Sequence, residues 1–97
     1  MMTKEQNEDL TVKQVLDIAV KNHQEGKLRF AEFLYKKILE KYPKNANALH
    51  LLGLVFHQEN RNEEAIDYIR RAIEISPKNA LFYFNLGNRI SPCLLLI

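Results

Sequence analysis

Tryptophan is absent, cysteine occurs once, and glycine and proline occur three times each among the 97 residues. The lone thiol, Cys93, has no second cysteine to pair with, so an internal disulfide is excluded and the fold needs no oxidising compartment. Gly26, Gly53 and Gly87 are too scattered to make a phosphate-cradling loop, and no nucleophile elbow is present. The chain is therefore expected to be no enzyme and to need no cofactor. Long apolar runs are missing too: Leu94 to Ile97 falls far short of the roughly 20 residues that cross a bilayer. The start MMTKEQNEDL is polar and acidic where a signal peptide would be basic and then apolar, so a cytoplasmic location is expected, with residues 1–10 a flexible terminus. Neither prenylation nor myristoylation fits, since Cys93 stands fifth from the end and no glycine follows Met1. An excess of one charge is likewise lacking. A net charge of +2 gives no general reason to expect nucleic acid or membrane as a partner.

What the chain has is repetition. Pro43 and Pro77 stand 34 residues apart (77 − 43), and the same step relates Ala31 to Ala65, Gly53 to Gly87 and Asn45 to Asn79. A constant period of this size marks a solenoid of stacked supersecondary units, each too thin to bury its apolar face alone. Hydrophobic residues at 46% and charged residues at 27% agree with a globular chain.

Five helical stretches follow from apolar spacing and end signals. Thr11 with Gln14 forms a capping box ahead of a first helix carrying Val12, Val15, Leu16, Ile18, Ala19 and Val20, and Gly26 closes it. A second helix over about Leu28 to Tyr42 presents Phe30, Ala31, Phe33, Leu34, Tyr35, Ile38 and Leu39 as a wide apolar face before Pro43 stops it. Asn45 caps a third helix, with Ala48, Leu49, Leu52, Val55 and Phe56 as its stripe. Gly53 inside that helix costs about 1 kcal/mol relative to alanine, which predicts a second helix backbone crossing closely there; Ala19 and Gly87 are its small counterparts. Asn60 takes the place of Gly26 at the turn, because asparagine enters the left-handed region readily. Asn62 is expected to cap a fourth helix, buried through Ala65, Ile66, Ile69, Ala72, Ile73 and Ile75 and ended by Pro77. Asn79 opens a third copy with Leu81, Phe82, Tyr83, Leu86 and Gly87, which Pro92 then interrupts. The expected layout is a unit at 11–45, a unit at 46–79, the first helix of an incomplete unit at 80–90 and an apolar tail at 91–97.

These positions resemble the tetratricopeptide repeat family. The central copy matches its pattern at Leu49, Leu52, Gly53, Phe56, Ala65, Ile69, Ala72 and Pro77. The first copy matches at Val15, Ile18, Ala19, Ala31, Tyr35 and Pro43, and the third at Tyr83, Leu86 and Gly87. Ile38 stands where the first copy should have its second alanine, and Asn22 where it should have an aromatic. The resemblance implies an all-α, right-handed helix-turn-helix solenoid of about two and a half units. The pattern LHLLG…EEAI…AIEISPKNA…NLGN also looks like repeats that precede catalytic domains in bacterial glycosyltransferases and methyltransferases. An amino-terminal, substrate-presenting fragment of such an enzyme is therefore the alternative reading.

In tetratricopeptide proteins the first helices of successive units line a concave groove that receives a peptide or an extended protein segment. The resemblance then places exposed groove residues at Lys13, Asp17, Val20, His23 and Gln24 in the first unit. In the second it places Asn47, His50, Leu51, Leu54, His57 and Gln58, and in the third Leu81, Phe84, Asn85 and Asn88. Asn85 and Asn88 are the sharpest pair, since an amide both donates to and accepts from a bound backbone. The equivalents of Asn85 are Asp17 and Leu51, so no asparagine ladder runs through the groove, and Leu16, His50 and Phe84 fill the site where a clamp for acidic carboxyl termini would want a cation. His23, His50 and His57 lack the four-residue spacing and extra ligands of a zinc site, so no metal is expected and solvated groove histidines are the better account. The basic pairs Lys36-Lys37 and Arg70-Arg71 are interleaved with Glu32, Glu40, Asp67 and Glu74, as on a salt-bridged solvent face. Apolar residues left uncovered on the last helix, Phe82 and Leu86, are expected to favour self-association.

Overall fold

The computed structural model describes residues 10–87, and within them every regular element is a helix. We number these α1 (Val12–Gln24), α2 (Leu28–Lys41), α3 (Ala46–Gln58), α4 (Asn62–Ile75) and α5 (Ala80–Gly87). Consecutive helices pack on one another, and α1 also touches α3, so the units stack as a helix-turn-helix solenoid. The proposed tail at 91–97, Cys93, Asn88 and residues 1–9 lie outside the described residues.

The same local chemistry is used twice, one period apart. At the end of α1, Gly26 adopts φ 84°, and at the end of α3 Asn60 adopts φ 66°. In both turns an amide reaches back to close the helix: Lys27 donates to the Asn22 carbonyl at 2.9 Å and Arg61 to the Phe56 carbonyl at 2.8 Å. These are the six-to-one bonds of a Schellman ending, which needs a left-handed residue at that point. The chain then enters the next helix at once. Neither α2 nor α4 has a side-chain cap; Asn62, expected to cap α4, is instead its first residue, and Arg61 stands at the cap position. The Schellman turn leaves no extra residue to serve as a cap. At their far ends Tyr42 and Ser76 have nearly the same backbone angles, φ −128° and −127°, because each precedes a proline that disfavours helical geometry.

The starts of α1 and α3 behave as expected. Gln14 N–H donates to Thr11 Oγ1 at 3.1 Å while Thr11 N–H donates to Gln14 Oε1 at 2.9 Å, completing the capping box. Asn45 Oδ1 accepts from Ala48 N–H at 2.9 Å.

The core runs along the stack as Ala19, Ala31, Tyr35, Leu52, Leu54, Val55, Phe56, Ala65 and Ile69, continued by Leu49, Ala72 and Phe82. Gly53 sits where the crossing was expected: a Cβ there would lie 2.8 Å from Ile69 Cγ1 and 3.0 Å from the Ala65 carbonyl oxygen. Several apolar residues assigned to packed faces are exposed instead, Ile18 on α1 and Tyr83 on α5 among them. Phe30 and Phe33 on α2 and Ile75 on α4 point outward, on the faces of these helices turned away from their neighbours in the stack.

Candidate functional site

The first helices of the three copies, α1, α3 and α5, stand side by side, and the side chains between them set what the shared face can offer. Two polar pairs join them, the first part-buried and the second buried. His23 Nε2 of α1 donates to Gln58 Oε1 of α3 at 2.6 Å, and His50 Nε2 of α3 accepts from the Asn85 amide of α5 at 2.8 Å. Each pair spans 35 residues, one more than the repeat period, so a side chain meets the residue just after its own counterpart.

This arrangement corrects the expectation of solvated groove residues at four places. His23 is 3% exposed, His50 2%, Asn85 1% and Leu54 1%, because the neighbouring first helix covers them. His23 Nδ1 also accepts from the Tyr35 hydroxyl at 3.1 Å, which leaves the imidazole neutral with its proton on Nε2. Burial pushes His23 below the usual histidine range, opposed in part by the bond to Gln58, and pushes His50 down to about 4. Burial also raises the Tyr35 phenol. The His50 ring lies 4.6 Å from that of buried Phe82, so its whole environment is apolar apart from Asn85. Such surroundings disfavour the imidazolium.

Other candidates remain accessible. Lys13 and Asp17 are exposed on α1 and form a 3.3 Å ion pair with one another. Asn47 and Gln58 are exposed on α3, Leu51 is half-buried there, and Leu81 and Phe84 are exposed on α5. Val20 is half-buried and Gln24 exposed at the other end of the face. His57 is half-buried and donates through Nδ1 to Asn62 Oδ1 at 2.7 Å, across the turn from α3 to α4. The three histidines are thus committed to three different places. Among the described residues no group of three His, Cys, Asp or Glu side chains gathers as a metal site. No described helix is long and apolar enough to cross a membrane.

A feature of the turn escaped sequence reasoning. The Arg61 guanidinium lies 4.3 Å from the centre of the Phe56 ring and faces Glu64 at 2.8 Å, Glu59 at 3.3 Å and Glu32 of α2 at 3.8 Å. The Arg61 hydrogen bond holds the Glu64 carboxyl below its ordinary range. One residue therefore ties α2, α3 and α4 together at the surface. Glu59 and Glu64 are its partners close in sequence, whereas Glu32 on α2 and the Phe56 ring are brought to it by the fold.

Comparison with known proteins agrees with this geometry. A family profile described as "TPR repeat" matches residues 53–88, and one described as "Tetratricopeptide repeat" matches residues 34–67. The chain is 37% identical over 62 residues to "Protein CTR9 homolog" of Arabidopsis thaliana, a match covering 64% of this chain and 6% of that protein. It is 35% identical over 52 residues to "Putative cargo-transport protein ypp1" of Schizosaccharomyces pombe, covering 54% of this chain and 6% of the relative. The chain thus spans a small part of the length of these relatives. Repeats of this kind indicate a protein–protein interaction module, typically non-catalytic. With α1 to α4 supplying two full helix-turn-helix units and α5 opening a third, the chain belongs to the tetratricopeptide repeat family.

Proposed function

We propose that the face shared by α1, α3 and α5 receives an extended segment of another protein. The observation that carries this reading is a division of labour among polar side chains. His23, His50 and Asn85 are turned between the helices, whereas Asn47 and Gln58 remain exposed beside the half-buried Leu51. Exposed Leu81 and Phe84 extend this strip onto α5. A bound backbone would find amide donors and acceptors at the centre of the strip and apolar seats toward α5, while Lys13 and Asp17 offer charge at the far end. His57 is a partner only where it can leave Asn62. His23, His50, Leu54 and Asn85 act in this reading by holding neighbouring first helices in register.

Site-specific photocrosslinking tests the proposal. A photoreactive side chain at Asn47 should capture protein segments that the same group at Glu63, on the outer helix, does not. Equal labelling from both positions would remove the face from consideration. Self-association belongs to the same proposal, but not through Phe82, which is covered by Leu49 and Ala72 and only 1% exposed; the contact is Tyr83, 47% exposed although its counterpart Leu49 is 4%. Sedimentation of wild type against Tyr83→Glu should show a concentration-dependent species only in the former, and monomers throughout would dismiss it.

A further inference from the structure

The outer face of α2 departs from the repeat in a way the fold does not require. Phe30 and Phe33 are 47% and 52% exposed and stack on one another, centroids 6.3 Å apart with ring planes at 15°. One period later the same positions hold Glu64 and Asp67, also exposed. The architecture therefore leaves both sites to water in each unit, and the second unit fills them with carboxylates. Two phenyl rings at such sites form an apolar patch that packing among the described residues does not explain.

Cations frame the patch. Arg29 and Lys37 lie one helical turn to either side of Phe33, and Lys37 Nζ sits 5.4 Å from the Phe33 ring centre. Among the described residues Arg29 has no ion-pair partner, and its counterpart in the second unit is Glu63. Beside Phe33 opens a cleft of about 710 Å³ lined by Arg29, Glu32, Phe33, Lys36, Glu59 and Arg61. Its two carboxylates are already engaged, Glu32 by Lys36 at 2.7 Å and Glu59 by Arg61 at 3.3 Å. What remains to attract a ligand is Arg29 together with the rings. Over the whole helix Arg29, Lys36, Lys37 and Lys41 outnumber Glu32 and Glu40, whereas α4 carries Glu63, Glu64, Asp67 and Glu74 against Arg70 and Arg71.

We infer that the outer face of α2 is a second docking surface, for an acidic protein segment bearing a bulky apolar side chain. That side chain lies against Phe33 at the cleft, with Phe30 extending the apolar contact. Flanking carboxylates meet Arg29 and, in exchange for its exposed 3.7 Å partner Glu40, Lys37. Aromatic and arginine side chains supply most of the binding energy in protein interfaces, and here they occur together on one exposed surface. A nucleic-acid ligand is disfavoured because the cations of this helix are interleaved with Glu32 and Glu40 rather than gathered in a stripe that could follow a phosphate backbone.

The test uses the full chain panned against a randomised peptide phage library, with selected peptides then measured by fluorescence polarisation. Acidic peptides carrying Phe, Leu or Trp should be enriched. Their affinity should fall at least about tenfold in Phe30→Glu/Phe33→Asp and in Arg29→Glu/Lys37→Glu, and stay unchanged in Asn47→Ala. The first variant copies residues that the second unit already carries at these positions, and an unchanged thermal melt verifies that it folds. Enrichment of basic peptides, no enrichment, or peptide binding indifferent to both outer-face variants would overturn the inference. So would wild-type dimers abolished by Phe30→Glu/Phe33→Asp, which would make a second copy the occupant. Retention of a single-stranded RNA oligomer abolished by the same variant would overturn it in favour of nucleic acid.

Discussion

Two opposite substitutions at one repeat position should both destabilise the protein. Gly53 and Ala19 are 34 residues apart (53 − 19) and sit where a first helix meets its own second helix. Replacing Gly53 with alanine gains about 1 kcal/mol of helix propensity. The new methyl, however, would stand 2.8 Å from Ile69 Cγ1 and 3.0 Å from the Ala65 carbonyl oxygen. The Ile69 atom is close to the backbone and the oxygen is part of it, so neither can swing away, and overpacking of this kind costs about 1–3 kcal/mol. The net expectation is a loss of about 1 kcal/mol, or a fall of about 4–8 °C in melting temperature for a domain this small. At the first-unit position, Tyr35 replaces the β-branched Ile69, and Ala19 fits with no exposure at all. Ala19→Gly should lose about 1 kcal/mol of propensity and about 0.8 kcal/mol of methyl burial. Urea denaturation followed by circular dichroism and tyrosine fluorescence measures both, with coincident curves as the check that the stack unfolds as one. In an Ile69→Ala background the Gly53→Ala cost should shrink by at least about 1 kcal/mol, because the closest overlap is gone. A Gly53→Ala protein more stable than wild type, or a cost indifferent to Ile69, would refute the close-crossing argument.

The buried histidines make stability pH-dependent. Folded His50 has its pKa lowered from 6.5 to about 4, so its contribution is complete above about pH 6.5 and is lost as pH falls toward 4, by a few kcal/mol in all. His23 shifts in the same direction and adds to the slope. Chemical denaturation midpoints measured across that window should decline in wild type and decline less in His50→Gln, which keeps a polar neighbour for Asn85 but does not titrate. Position in the stack should also govern the cost of truncating one repeat position. Leu52→Ala should lose about 2–5 kcal/mol because Leu52 is fully buried, while Ile18→Ala at the equivalent site, 43% exposed, should lose under about 1 kcal/mol by thermal melting.

Helix order, the turn residues and the Gly53 crossing were legible because each depends on neighbours within one period. Thr11 and Gln14 lie three apart, the left-handed Gly26 and Asn60 are residue types chosen for that geometry, and Pro43 and Pro77 follow directly on the ends of α2 and α4. The candidate face was read less well because burial there is decided by another unit. His50 lies off the stripe of Leu49, Leu52 and Phe56, which a single-helix reading takes as facing solvent, yet α5 closes over it. Reading the chain at an offset of 35 rather than 34 would have placed His23 opposite Gln58 and His50 opposite Asn85, polar against polar. The reverse error occurred at Phe30 and Phe33, where an apolar pair on a helix was taken as packed. Their counterparts Glu64 and Asp67 carried the signal that these sites face water.

The offset pairs also show why polar groups are kept in so small a core. Among the described residues Asn85 Oδ1 is buried without a hydrogen-bond partner, so the His50–Asn85 pair satisfies only part of what it desolvates. An unsatisfied buried acceptor costs about 1–3 kcal/mol, whereas replacing both partners by apolar groups of similar shape is nearly neutral or stabilising. His50→Leu alone strands the Asn85 amide and Asn85→Leu alone strands the imidazole, so each single change should destabilise. His50→Leu/Asn85→Leu should recover most of that loss or exceed wild type. If the pair serves register rather than stability, the double variant should also let α5 slide along α3, seen as faster amide exchange in α5 despite an equal or higher melting temperature. A double variant less stable than either single one would show that the pair is a net source of stability. Unchanged exchange in α5 would show that packing by Phe82 alone already fixes where α5 sits.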